Sequence, residues 1–175
     1  MLRLVTHSRF RLIVFALTAM VTVLPAAAQS LLSKQPARLM VAAEPPAVVV
    51  AGTPFTIALR LTPLTGIHVY APGNPNYIPV AVELTPAPGL KAEPAIFPAG
   101  QDLFFGPLKE TVKVYSVPFV VKLPLSLDAK AAKGSKPGEV LIRGKVSYQA
   151  CDDRVCFPPQ SAPFEARLSV RQRRS

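Results

Sequence analysis

The sequence predicts an all-β fold, built as an antiparallel β-sandwich. Its 175 residues include 20 prolines, which interrupt helices, and the segments between them are rich in valine, leucine and threonine, which favour strands. No segment repeats apolar residues with a helical period, and turn signals recur at roughly even spacing. Short strands separated by turns in this way are typical of a sandwich with about seven or eight strands.

Two segments show the strand pattern most clearly. In residues 53–61 the odd positions from Phe55 to Leu61 are apolar, and the even positions are smaller or polar. Residues 164–170 repeat the pattern, with apolar side chains at the even positions. Because successive side chains of a strand point to opposite faces, both segments are predicted to be half-buried strands. The other predicted strands are 38–41, 48–50, 67–70, 80–84, 111–123 and 140–150.

The predicted strand 111–123 changes the parity of its apolar residues part-way along. Val112 and Val114 are followed by apolar residues at the odd positions from Val117 to residue 123. A strand has a period of two, so such a change predicts a β-bulge or a switch from one sheet to another. Pro118, which lacks a backbone N–H, fits a bulge or a sheet edge at this point.

The N-terminus has the pattern of a secretory signal peptide over residues 1–28. Three arginines give a positively charged start, residues 12–24 form an apolar run, and an A-x-A cleavage pattern ends at Ala28. A membrane-spanning helix needs about 20 apolar residues, and this run has 13. Export followed by cleavage near Ala28 is therefore expected, giving a soluble mature chain that is not stably inserted in a membrane.

The mature chain has the size of one domain, because 175 residues less 28 leaves 147. We predict a flexible lead-in over residues 29–37, a folded domain over 38–170 with an exposed loop at 128–138, and a basic tail over 171–175. The three arginines of the signal peptide take the formal charge from +10 to +7. The remaining basic residues are scattered along predicted strands, which argues against a nucleic-acid partner.

The chain has two cysteines, Cys151 and Cys156, separated by four residues. A connection of this length is common in hairpins, and directly opposed strand residues bring their Cβ atoms to about 4.5–5.5 Å, near the roughly 3.8 Å of a disulfide. In an exported chain the pair is expected to form a bridge. Closing so short a loop is worth about 2 kcal/mol, so these arguments leave a stabilising bridge and a redox-active bridge about equally favoured.

The segment YQACDDRVCFPP resembles the signature of the N-terminal periplasmic domain of the thiol:disulfide interchange protein DsbD. That family has a tyrosine and a glutamine before the first cysteine, a short acidic loop, the second cysteine, an aromatic residue and two prolines. The matching residues are Tyr148, Gln149, Cys151, Asp152, Cys156, Phe157, Pro158 and Pro159. The resemblance implies an immunoglobulin-like antiparallel β-sandwich and a redox-active cysteine pair, in which Cys156 forms the mixed disulfide and Cys151 resolves it.

The segment DLFFG is similar to the cap loop of the same family, an acidic-aromatic-glycine segment that covers the disulfide. It comprises Asp102, Leu103, Phe104, Phe105 and Gly106. The resemblance implies that Phe104 shields the disulfide beside Phe105, and that Gly100 and Gly106 let the loop move. Two features depart from the family pattern. Leu103 replaces an acidic residue, and the cysteine loop is one residue shorter than in the best-known member.

The segment GIHVYAPG, residues 66–73, resembles the aromatic strand that lies near the active site in this family. On this basis Tyr70 and His68 are candidates to line a pocket around the cysteines, and Tyr148 of the cysteine signature is a third candidate. A strand histidine without a chemical role is the simpler alternative for His68.

The resemblance implies a periplasmic function in thiol–disulfide exchange. A stand-alone domain of this kind would pass electrons from a membrane-embedded or thioredoxin-like reductant, supplied in trans, to oxidised thioredoxin-like proteins. The cysteine pair would be the redox group. No metal or other cofactor is expected, because the mature chain adds only His68 to the two cysteines as a nitrogen or sulfur ligand. The competing hypothesis is a secreted immunoglobulin-like binding module whose hairpin disulfide is structural.

Overall fold

Twelve β-strands make up the part of the chain that the structure, a computed structural model, describes: residues 35–106, 109–128 and 138–172. No α-helix occurs in these residues. The predicted signal peptide, most of the predicted lead-in, residues 129–137 of the predicted exposed loop and the last three residues of the basic tail lie outside the described residues. The described residues from Pro36 onward belong to one compact unit.

The strands are short and separated by turns, as the composition indicates. In chain order they are β1 (Leu39–Glu44), β2 (Val48–Val50), β3 (Phe55–Pro63), β4 (His68–Tyr70), β5 (Ala81–Leu84), β6 (Leu90–Ala92), β7 (Gln101–Phe105), β8 (Glu110–Tyr115), β9 (Phe119–Leu127), β10 (Glu139–Tyr148), β11 (Ala150–Cys151) and β12 (Gln160–Arg171). They form three sheets, with the strand orders β1-β3-β9-β6, β2-β12-β10-β5 and β11-β4-β8-β7. Paired strands are antiparallel except β2 and β12, which are parallel.

The first two sheets face each other across one hydrophobic core, to which alternate residues of β3, β9, β10 and β12 contribute. Ile57, Leu59 and Leu61 of β3 are each 0% exposed. On β12, Phe164, Ala166 and Leu168 are buried, while Glu165 and Arg167 between them are exposed. The two alternating strands are confirmed, and so is the predicted all-β, immunoglobulin-like antiparallel sandwich.

The predicted change of parity in residues 111–123 is a switch of sheet. Strand β8 ends at Tyr115 in the third sheet, and β9 begins at Phe119 in the first, with Pro118 in the connection. The rings of Tyr115 and Phe119 stack with their centroids 3.8 Å apart, and the Tyr115 hydroxyl donates to the Pro98 carbonyl at 2.6 Å. These contacts hold the crossover between the two sheets.

A second switch of sheet follows β10 and positions the first cysteine. Strands β10 and β12 form a long antiparallel hairpin whose pairing ends at Tyr148 and Gln160. Beyond that point the chain leaves this sheet, and the two residues of β11 pair with β4, with Cys151 opposite His68. The hairpin predicted between the cysteines is confirmed, and its first arm ends in the small third sheet.

Two strands, β6 and β7, are missing from the sequence prediction. Both lie at the edge of a sheet, and most of their residues are exposed, so they carry little of the alternation that marks a half-buried strand. Strand β7 coincides with the segment predicted as a cap loop. Residues 101–105 form an edge strand paired with β8, and the cap role of this segment stays a prediction.

Gly144 lies where two strands and an aromatic ring approach closely. A Cβ atom there would lie 2.6 Å from both the Glu83 carbonyl oxygen and the Phe164 ring. Gly144→Ala is expected to lower the free energy of unfolding by about 1–3 kcal/mol, because the ring and the neighbouring strand must move apart. Urea unfolding measures this loss. Gly106→Ala is the control, since its Cβ would meet no atom within 4 Å, and equal stability of the two variants would contradict the expected clash.

Candidate functional site

The two cysteines face each other at the tip of the β10–β12 hairpin and are joined by a disulfide. Their sulfur atoms are 2.10 Å apart and their Cα atoms 4.0 Å apart. Backbone hydrogen bonds close the same loop: the Asp152 N–H donates to the Val155 carbonyl at 3.0 Å, and the Phe157 N–H donates to the Ala150 carbonyl at 2.8 Å. The loop conformation therefore has backbone support besides the disulfide.

Asp152 shapes the turn between the cysteines. Its Oδ1 atom accepts hydrogen bonds from the backbone N–H groups of Arg154 and Val155, both at 2.8 Å, which makes an Asx turn. The bond from Val155, then the bond from Arg154, holds the pKa of Asp152 below its ordinary value. The carboxylate thus stays ionised at neutral pH and fixes the tight loop that four intervening residues require.

The two cysteines differ in exposure. Cys151 is 0% exposed and packs in a small cluster with Tyr70, Val112 and Val114. Cys156 lies on the surface. Thiol–disulfide exchange needs access of the attacking thiolate to one sulfur of the bond. Of the two sulfur-bearing residues, Cys156 is therefore the accessible one.

Tyr70 places one hydroxyl group beside both sulfurs. Its oxygen lies 3.4 Å from Sγ of Cys156 and 3.5 Å from Sγ of Cys151. Burial, together with the charge of Glu110, raises the pKa of Tyr70, so the phenol stays protonated at neutral pH. A donor of this kind stabilises a thiolate. The hydroxyl is placed to do so for either sulfur once the S–S bond opens.

Tyr77 and Glu110, which the sequence did not single out, hold Tyr70 in place. The Tyr77 ring stacks on the Tyr70 ring with the centroids 4.2 Å apart. The Tyr77 hydroxyl donates a hydrogen bond to the Glu110 carboxylate on β8. Tyr77 lies in a turn far from the cysteines in the chain and has no motif around it, so no sequence signal pointed to this contact.

Arg38 is a further contributor that the sequence marked only as the start of a strand. Its guanidinium carbon lies 3.4 Å from the centroid of the Phe157 ring, a cation–π contact. The side-chain amide of Gln149 donates a hydrogen bond to the Phe157 carbonyl at 3.3 Å. The aromatic residue after Cys156 is thus held by both its ring and its backbone, which fixes the direction in which the chain leaves the cysteine loop.

His68 lies opposite Cys151 in the strand pairing and is 5% exposed. Its ring meets the Tyr70 ring edge-on, with the centroids 6.1 Å apart. Burial lowers the pKa of His68, and the charges of Asp153 and Asp152 oppose this effect without cancelling it. The imidazole is therefore neutral at neutral pH. The structure brings two of the three predicted pocket residues, Tyr70 and His68, next to the cysteines.

The third predicted pocket residue, Tyr148, lies elsewhere. It is 1% exposed in the core between the two large sheets. Its hydroxyl donates to Oε1 of Gln160 at 3.1 Å and accepts from the Arg38 backbone N–H at 3.3 Å. The prediction fails because the chain changes sheet between Tyr148 and Cys151, so the two side chains enter different clusters.

The β7–β8 hairpin brings Leu103 against the cluster that contains Cys151. Phe104 alternates to the opposite face of the strand and is 66% exposed. Asp102 is on the same exposed face as Phe104, where it forms an ion pair with Lys113 at 2.7 Å. The packing contact with the cysteine cluster is thus made by Leu103, and shielding of the disulfide by Phe104 stays a prediction.

The two glycines that flank the predicted cap segment differ in their surroundings. At Gly100 a Cβ atom would lie 2.6 Å from the Cβ of Ala71, so this glycine permits close packing of the hairpin on the neighbouring chain. At Gly106 a Cβ atom would meet no atom within 4 Å. Of the two, only Gly106 has open space around it.

Within residues 35–106, 109–128 and 138–172, no three His, Cys, Asp or Glu side chains are placed to hold a metal ion. The same ranges contain no helix that could span a membrane.

Residues 37–167 match the family model described as "Thiol:disulfide interchange protein DsbD, N-terminal". The chain belongs to this family. The resemblance predicted from the cysteine signature is thereby confirmed. The DsbD N-terminal family consists of periplasmic domains, and membership assigns thiol–disulfide interchange as the general activity, which the disulfide between Cys151 and Cys156 fits.

Two solved structures are similar to this DsbD N-terminal domain at low identity. A chain of a type I cohesin–dockerin complex, Coh-OlpC with Doc435, from Clostridium thermocellum is 12% identical with a TM-score of 0.43, and the match covers 78% of this chain and 96% of that one. AggA, the major subunit of aggregative adherence fimbriae type I from Escherichia coli, is 14% identical with a TM-score of 0.33, covering 76% and 94%. These values are too low to support an argument about this chain. A search of curated proteins finds no match.

Removal of the Tyr70 hydroxyl tests its role at the sulfurs. In the reduced domain, Tyr70→Phe is expected to raise the pKa of the Cys156 thiol by about one unit, because a hydrogen bond to a charged group is worth about 1.5–3 kcal/mol and one pKa unit is about 1.4 kcal/mol. The pH profile of iodoacetamide alkylation measures the shift. Tyr77→Phe, which keeps the ring stack and loses the bond to Glu110, should move the profile less. Identical profiles for Tyr70→Phe and the unaltered domain would rule out this role.

The structure also predicts which residue of the β7–β8 hairpin limits access to the buried thiol. In the reduced domain, Leu103→Ala is expected to speed alkylation of Cys151 by about three- to tenfold, because it opens the cluster around that sulfur. Phe104→Ala should have a smaller effect on Cys151. Mass spectrometry of the separately alkylated peptides measures both rates. A larger effect of Phe104→Ala would show that Phe104 provides the shielding.

Proposed function

We propose that this domain carries electrons in the periplasm by thiol–disulfide exchange at Cys151 and Cys156. It receives them from a membrane-embedded or thioredoxin-like reductant supplied in trans and passes them to oxidised thioredoxin-like proteins. The observation that carries the proposal is the asymmetry of the disulfide: Cys156 lies on the surface, Cys151 is 0% exposed, and the Tyr70 hydroxyl lies within 3.5 Å of both sulfurs.

The reduction of the domain follows from this asymmetry. A thiolate of the reductant attacks Sγ of Cys156, the S–S bond breaks, and Cys151 leaves with the electron pair of that bond and then takes up a proton. The second thiol of the reductant attacks the mixed disulfide and releases Cys156 as a thiolate. Two electrons have then moved to the domain, and the reductant holds the new disulfide.

Delivery of the electrons uses the same steps in the opposite direction. The Cys156 thiolate attacks the disulfide of the thioredoxin-like acceptor and forms a mixed disulfide with it. Cys151 then loses its proton and attacks Cys156, which re-forms the internal disulfide and releases the acceptor as a dithiol. Tyr70 supports both halves of the reaction, because its hydroxyl can stabilise negative charge on either sulfur.

A purely structural role for the disulfide has weaker support. The bridge closes a loop with a sequence separation of five, and in the chain-entropy model such a loop is worth about 2 kcal/mol. Strands β10 and β12 are already joined by continuous antiparallel pairing up to Tyr148 and Gln160. Two backbone hydrogen bonds close the cysteine loop itself. The disulfide therefore adds little stability to a hairpin that backbone hydrogen bonds already hold together.

Trapping of a mixed disulfide tests the proposed function. Cys151→Ser leaves Cys156 without a resolving thiol, so covalent complexes with thioredoxin-like proteins are expected to accumulate in periplasmic extract and to dissociate with dithiothreitol. Mass spectrometry of the trapped complexes identifies the partners. Cys156→Ser is the matched control and should trap at least about tenfold less, because Cys151 is buried.

Stability of the double serine variant separates the two candidate functions. Replacement of both cysteines is expected to lower the free energy of unfolding by about 2 kcal/mol or less, measured by urea unfolding. A domain that no longer folds without its disulfide, and whose Cys151→Ser variant traps no thioredoxin-like protein, would support a binding module with a structural bridge and overturn the exchange function.

A further inference from the structure

A small cavity lies beside the loop between the two cysteines, and the exchange reaction as described does not use it. Its volume is about 150 Å³, and its lining residues are Gly66, Ile67, His68, Leu103, Ser116 and Asp153. They come from the turn before β4, the edge strand β7, the crossover after β8 and the cysteine loop. His68 is the strand partner of Cys151, and Asp153 lies between the two cysteines in the chain, so the cavity is lined by neighbours of both cysteines.

The wall of the cavity carries a polar group without a protein partner. His68 is 5% exposed, and its imidazole makes no hydrogen bond with the described residues. Within the described part of the chain, however, every side-chain nitrogen or oxygen that is fully buried has a hydrogen-bond partner. The imidazole nitrogens are therefore not fully buried, and His68 lines the cavity. Since the ring is neutral, one nitrogen accepts a hydrogen bond and the other donates one.

The charge at the cavity favours a cation. The Asp153 carboxylate lines it and forms no salt bridge with any cation of the described ranges. An anionic group would be repelled by Asp153, and an apolar group would leave the His68 acceptor unpaired. An ammonium or guanidinium group can pair with both side chains, because it donates hydrogen bonds to the carboxylate of Asp153 and to the imidazole of His68.

The size of the cavity suits one side chain. Its volume of about 150 Å³ corresponds to about five water molecules of roughly 30 Å³ each. Sites for free small molecules are larger, roughly 300–1,000 Å³. The cavity therefore has room for the end of a single side chain.

We propose that this cavity is a specificity subsite that receives a lysine or arginine side chain of the protein that exchanges with the disulfide. The subsite rests on the proposed function, because its occupant arrives on the exchange partner. The cation pairs with Asp153 and donates to His68 while the sulfur of the partner reaches Cys156. The contact selects partners with a basic residue near their reactive cysteine and orients them on the exposed sulfur.

Short thiol peptides measure this preference without a known partner. Each peptide carries one cysteine and, at one of several nearby positions, lysine, glutamine or glutamate. The rate of mixed-disulfide formation with the oxidised domain is divided by the rate of the same peptide with neutral hydroxyethyl disulfide, which removes differences in thiol pKa. At the best position the lysine peptide is expected to react about three- to tenfold faster than the glutamine peptide, with the glutamate peptide slowest.

Two variants that each remove one negative charge show whether the lysine preference comes from the subsite or from the overall negative charge of the cysteine loop. Asp153→Asn should remove the lysine preference. Asp152→Asn removes the same charge but should keep the preference, because Asp152 is bonded to the backbone and does not line the cavity. Ser116→Phe, which changes no charge, should reduce the preference by filling the space.

The outcomes distinguish this proposal from the proposed function. If all three peptides react at the same normalised rate, or if Asp152→Asn and Asp153→Asn have equal effects, the subsite is wrong and the exchange function stands. If no peptide forms a mixed disulfide with the folded domain, the exchange function itself fails.

Discussion

The pairing of β11 with β4 is the constraint on which the site depends. Only two residues take part, but they carry Cys151 out of the sheet that contains β10 and set it opposite His68. Cys151 is thereby buried against Tyr70 while Cys156, across the hairpin, stays at the surface. If both arms of the hairpin stayed in one sheet, the two cysteines would have similar exposure. The switch of sheet is what leaves one cysteine of the disulfide buried and the other exposed.

The third sheet also connects the disulfide to the β7–β8 hairpin. Strand β4 pairs with β11 on one side and with β8 on the other, and β8 pairs with β7. Tyr70 and Leu103 therefore meet the same cysteine from neighbouring strands. The bond from Tyr77 to Glu110 ties the stacked tyrosines to β8. Displacement of this hairpin would disturb packing around the buried sulfur and the hydroxyl that serves both sulfurs.

Charge is distributed unevenly around the disulfide. On the buried side, Tyr70 is protonated and His68 is neutral, because burial raises the pKa of the phenol and lowers that of the imidazole. On the exposed side, Asp152 is an ionised carboxylate held by the backbone, and the guanidinium of Arg38 covers Phe157. A neutral donor, the Tyr70 hydroxyl, thus contacts both sulfurs, and the charged groups lie on the exposed side of the loop.

The sequence by itself determined the all-β class, the alternating strands, the presence of a bulge or change of sheet near Pro118 and the cysteine pair, since each leaves a local pattern of polarity or spacing. The sequence could not reveal β7 as a strand, because an exposed edge shows little alternation. Tyr148 was placed with the cysteines because it is near them in the chain, whereas Tyr77 and Glu110 were overlooked because they are far away. Only tertiary structure decides such contacts, because side chains from separate strands meet according to sheet order and register, which no single segment encodes.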